Sequence, residues 1–188
     1  MLTIKNIQKN ITLILIIVGS VIIISCELEV TPNETIFYEN NALKERVKTN
    51  IEEAKVLSRL AIINKEAILI TQLVNGRPIG TKAMLMSNTF ETQQKDMERL
   101  LIDLAKKKLV LLPNKVDEND IMLLKEIKDE NFLKAYQKKV IALLKSEIEE
   151  LNYLATITND VDFKVLSDKT LKSLHTKLVE IKNISTEH

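Results

Sequence analysis

The chain has 188 residues, 45% of them hydrophobic, with 27 basic and 26 acidic side chains and a formal net charge of +1. That length and composition fit one domain with an ample core, and the near-neutral balance lacks the basic surface that a nucleic-acid partner needs. Three glycines, three prolines and no tryptophan exclude an all-β domain, which needs a turn signal about every 8–12 residues.

Lys5 and Lys9 precede an apolar run, Ile11 to Ile24, that leads into Ser25 and Cys26. A basic start, a short apolar stretch and a small residue before the cut describe a secretory signal over residues 1–25. The run falls short of the roughly 20 residues that span a bilayer, so an uncleaved anchor fits it less well. Cys26 is the one cysteine of the chain, placed where a bacterial lipoprotein carries its acylated cysteine. The expectation is lipidation at Cys26, with the membrane as partner through two or three acyl chains, each buried CH₂ contributing about 0.8 kcal/mol. A plain secretory signal with an incidental thiol is the competing reading. Cleavage would remove two lysines and no acid, leaving a net charge of about −1 and no second cysteine for a disulfide.

Residues 26–40 contain Pro32 and show no helical period, which predicts a lipidated tether ahead of a helical domain at 41–188. The first helix is expected from near Asn41. Ile51, Ala54, Leu57, Leu60, Ala61, Asn64, Ala67, Ile68 and Leu73 recur on its inward face. It stops at Asn75-Gly76-Arg77-Pro78, where Gly76 suits a left-handed cap and Pro78 cannot continue the ladder. A second helix is expected over about Thr81 to Leu109, with Met86, Phe90, Gln94, Met97, Leu101, Leu104 and Lys108 as its stripe. A short helix follows, about Glu118 to Lys128. The third long helix starts near Asn131 and turns Phe132, Tyr136, Val140, Leu144, Ile148, Leu151 and Ala155 inward. Thr158-Asn159-Asp160 offers a cap for the fourth, whose inward face is Val161, Val165, Leu171, Leu174, Leu178 and Ile181. Four long amphipathic helices with short connections predict an all-α fold, an up-down four-helix bundle with a short extra helix between helices 2 and 3.

Little in the sequence carries chemistry. A bundle dimetal site needs a Glu-x-x-His from each of two helices, yet Lys172 and Ser185 precede the two histidines, His175 and His188, at that spacing. There is no Gly-x-Ser-x-Gly and no phosphate-binding glycine loop. His175 reads as a surface residue, and Met84, Met86 and Met97 as core filling. The expectation is therefore no catalytic residue, no metal ligand and no cofactor. Gln94 and Asn64 are the main polar side chains on the inward stripes and form a candidate core polar site; an orphaned amide there costs about 1–3 kcal/mol. With apolar neighbours expected around it, Gln94→Leu is predicted to leave stability unchanged or higher.

Three stretches carry a family resemblance: Asp103 to Pro113 (DLAKKKLVLLP), Asn131 to Tyr136 (NFLKAY) and Asp160 to Leu171 (DVDFKVLSDKTL). In this order and spacing they resemble the domain of unknown function 4142 family, exported bacterial proteins with a ferritin-like four-helix bundle. The resemblance covers roughly Ile51 to Ile184. It implies that fold and a cell-envelope location, and no established activity. Members of that family commonly carry three histidines at positions that correspond here to Gln94, Leu144 and Lys177, so any chemistry of those imidazoles is not expected in this chain.

These readings converge on a non-enzymatic, lipid-anchored envelope protein that works by contact with an unidentified envelope protein partner. Its expected place is the periplasmic face of the outer membrane, since Glu27 and Glu29 make only a weak version of a surface-export signal. A ferritin-like metal-binding or redox protein and a helical surface adhesin are the alternatives.

Overall fold

The computed structural model describes the backbone of residues 32–183 and the side chains of residues 39–183. The signal segment 1–25, Cys26, Glu27 and Glu29 lie outside the described residues. The described residues form an all-α structure of five helices without a strand: α1 (Pro32–Gln72), α2 (Thr81–Lys108), α3 (Asn119–Glu126), α4 (Asp129–Ile157) and α5 (Val161–Lys182).

The first helix begins at Pro32 and not near Asn41, so part of the expected tether is helical. Proline suits the first helical position because its fixed φ is already helical and its missing N–H would have no partner there. The chain divides into two compact units between Glu45 and Arg46. In the first, the side chains of 39–45 are exposed, Leu43 to 60%.

The second unit holds the core. Leu57, Leu60 and Ile70 of α1, Phe90 and Leu101 of α2, Tyr136, Leu144 and Leu151 of α4, and Phe163 and Ile181 of α5 are all fully buried. Four residues expected inward are exposed instead: Ile51, Ala155, Val161 and Val165. For α5 the cause is its cap. Asp160 Oδ1 accepts from the backbone N–H groups of Asp162 and Phe163 at 2.9 and 3.4 Å, which fixes the first turn so that Phe163 and Leu166 face inward.

Gly76 takes φ 84° and Gly80 φ 81°, as the turn between α1 and α2 requires. Between them Arg77 donates to the carbonyl oxygens of Ile127 at 2.9 Å and Lys125 at 2.6 Å, and to Asp129 Oδ1 at 2.6 Å. Its guanidinium also lies 4.5 Å from the Phe132 ring centre. One side chain thus neutralises the carbonyl end of α3 and meets the acidic first turn of α4. At the end of α2, Leu109 adopts the left-handed conformation, φ 57°, with its side chain 95% exposed. A Cβ there costs roughly 1–2 kcal/mol; the bond from Val110 N–H to Ala105 O at 2.8 Å closes the turn around it.

Candidate functional site

The inward stripe of α2 repeats every three or four residues through Phe90, Gln94, Met97 and Leu101, so Gln94 must enter the core with its neighbours. Asn64 enters from α1 in the same way. Both are 1% exposed, and the structure brings them together. Asn64 Nδ2 donates to Gln94 Oε1 at 2.5 Å and to the Gln94 backbone oxygen at 2.9 Å.

The network continues to a residue that the sequence reading passed over. Gln94 Nε2 donates to Glu147 Oε2 at 3.1 Å, and Glu147 is completely buried on α4. The signal was present, because Glu147 stands three residues after Leu144 and four before Leu151. Ile148 claimed that place on the stripe, and Glu147 merged into the acidic run Glu147-Ile148-Glu149-Glu150. Burial pushes the Glu147 carboxyl up to about 8, against a smaller lowering by the Gln94 amide, and no charged neighbour contributes. This carboxyl argues against the expectation for Gln94→Leu: without the amide, Glu147 would be buried with no polar partner among the described residues.

Three buried atoms lack a hydrogen-bond partner among the described residues: Asn64 Oδ1, Glu147 Oε1 and Ser167 Oγ. Gln137 Nε2 reaches the Ile181 carbonyl at 2.5 Å, which fixes the register of α4 against α5 and sets Ser167 about one turn from the level of Glu147. A second polar layer shows the contrast. Ser87 Oγ lies 2.8 Å from the Tyr136 hydroxyl, and Thr71 Oγ1 donates to Ile68 O at 2.7 Å. Burial raises the Tyr136 phenol to about 12, so that layer stays neutral and satisfied.

A third cluster joins α1, the end of α2 and the α4–α5 connection. Thr158 Oγ1 donates to Glu53 Oε1 at 2.5 Å and accepts from Asp160 N–H at 3.0 Å. The Lys108 ammonium pairs with Asp160 and stands 5.5 Å from the Phe163 ring centre, while Lys107 pairs with Asp162 at 2.5 Å. The Lys108 partner lowers the Asp160 carboxyl below its ordinary range. His175 is exposed, and Met97 is buried with Met84 and Met86 packed against the core. Lys177 is buried and holds Glu180 at 2.5 Å.

Among the described residues, no three His, Cys, Asp or Glu side chains converge, and no described helix is long and apolar enough to cross a membrane. The arrangement around Gln94 can hold a proton and hydrogen bonds in a buried interior. No protein-family model, curated protein or solved structure matches the chain.

Proposed function

We propose that the chain is a lipid-anchored protein of the bacterial cell envelope that acts by contact with another envelope component. The observation that carries this reading is the position of the single cysteine, Cys26, directly after the apolar run and small Ser25.

The finer fold belongs to the same proposal. α1, α2, α4 and α5 form an up-down, ferritin-like bundle with α3 as the extra element. Support comes from the bidentate pair of Arg59 with Glu150, at 2.6 and 2.8 Å, and from the ladder of α4–α5 contacts. The resemblance to the domain of unknown function 4142 family favours the same fold and a cell-envelope location, and the weak export signal of Glu27 and Glu29 favours the periplasmic side of the outer membrane.

Growth of cells with a labelled fatty acid tests the reading. The wild-type protein should carry label and fractionate with membranes, and Cys26→Ala should do neither. An unlabelled wild-type band would sink the proposal, and rapid proteolysis on intact cells would move the protein to the outer face.

A further inference from the structure

Three side chains of ordinarily charged type are buried among the described residues: Glu53, Glu147 and Lys177. Glu53 receives the Thr158 hydroxyl and Lys177 holds the Glu180 carboxylate. Glu147 receives one neutral amide bond at 3.1 Å and nothing else.

The donor count around it favours the neutral form. Asn64 spends its amide hydrogens on Gln94, and Gln94 spends one of its own on Glu147. Within the network that leaves two oxygens, Asn64 Oδ1 and Glu147 Oε1, without partners, and on α5 the buried Ser167 hydroxyl is unpartnered as well. If Glu147 is a carboxylate, both are acceptors and neither can serve the other. If Glu147 carries a proton on Oε1, the carboxyl gains a donor that an acceptor such as Asn64 Oδ1 could receive, directly or through a water. A neutral carboxyl also avoids the cost of an unpaired buried charge.

The surrounding elements supply no counter-charge. α1 turns Leu60, Asn64 and Ala67 into the core, and its charged neighbours are engaged elsewhere: Arg59 with Glu150, Glu66 with Lys139, Lys65 with the Asn114 carbonyl. α2 turns in Phe90, Gln94 and Met97, with Glu91 paired to Lys95 outside. α5 turns in Ser167 and Leu174, and its Lys177 is held by Glu180. On α4 itself, Glu150 is engaged by Arg59 and Glu149 is exposed.

We propose that the Asn64–Gln94–Glu147 network is a proton-operated latch: the neutral Glu147 carboxyl locks α4 to α2, and through Gln94 to α1, and release of its proton loosens the bundle core. A group whose folded pKa is raised contributes its full stability while protonated in both states, and loses it as pH climbs through the folded pKa. The window runs from the ordinary carboxylate value, 4.5, to about 8.

Denaturant unfolding of the full chain in detergent micelles, from pH 4.5 to 9.5, tests this. The unfolding constant should rise with pH, by at most tenfold per unit for one proton, and level off above pH 8. Glu147→Gln, which keeps the amide bond without an ionisable group, should flatten that rise. A wild-type chain equally stable at pH 5 and 9, or a Glu147→Gln chain with the wild-type slope, would overturn the latch. Should Glu147→Gln not fold, the carboxyl ¹³C resonance of Glu147 in the wild-type chain decides alone. Titration well above the ordinary carboxylate range supports the proposal, and titration near 4.5 ends it.

Discussion

Gln94 Nε2 stands 3.1 Å from Glu147 Oε2, and this bond between residues 53 positions apart is the carboxyl's one polar contact among the described residues. A leucine at 94 adds apolar contact but strips the carboxyl. Gln94→Leu should therefore destabilise the protein by about 1–3 kcal/mol. The double variant Gln94→Leu, Glu147→Leu should recover part of that loss, since no carboxyl is then stranded and Asn64 keeps its bond to the backbone oxygen of residue 94. Denaturant midpoints of the three chains check this; a Gln94→Leu midpoint at or above wild type would mean that the amide does not support Glu147.

Leu144 is fully buried on α4, one turn before Glu147. Leu144→Ala removes apolar atoms and leaves a cavity that rigid helices cannot close, at a cost of about 2–5 kcal/mol. Thermal unfolding followed by circular dichroism gives the number. A loss below 1 kcal/mol would show a core that collapses around the gap.

Asp160 caps α5 and pairs with Lys108. Asp160→Ala should cost roughly 0.5–2 kcal/mol. The pH dependence has the opposite sign to that of Glu147. Because its folded pKa is lowered, Asp160 contributes stability above its ordinary value of 3.8, and this is lost as pH falls through the folded pKa. Wild type and variant should lie closer in stability at pH 3 than at pH 6, where the full difference is present.

Arg77 binds two carbonyl oxygens and the Asp129 carboxylate with one planar fork. A lysine cannot reproduce that geometry. Arg77→Lys should therefore release α3 selectively, raising amide hydrogen exchange over Asn119–Glu126 while α2 and α5 keep their protection. Uniform protection across all helices in the variant would refute the clamp.

Most of the helical plan was legible because long stripes at three- and four-residue spacing have one reading. The turn at Gly76 and the cap at Asp160 followed from residues with few other uses. The start of α1 did not, because proline breaks a helix in its middle and suits its first turn, and only context separates the two. On α5, Val161 and Val165 imitate a stripe as well as Phe163 and Leu166 do; the cap bonds of Asp160 choose between them. Asn64 and Gln94 stood out because amides interrupt apolar stripes. Glu147 stayed hidden beside Glu149 and Glu150, because sequence alone does not say which member of an acidic run faces a helix and which faces water.

Where Thr158, Glu53, Asp160 and Lys108 meet, each side chain sets the terms on which its neighbour is tolerated. A neutral residue at 160 would leave the Lys108 amine with only the more distant Asp162 carboxylate, 3.6 Å away, and an apolar residue at 158 would leave Glu53 buried without its donor. Substitution at this corner is thus epistatic. Among descendants of this chain the four positions should drift as a set, with compensating pairs tolerated where the single changes are not.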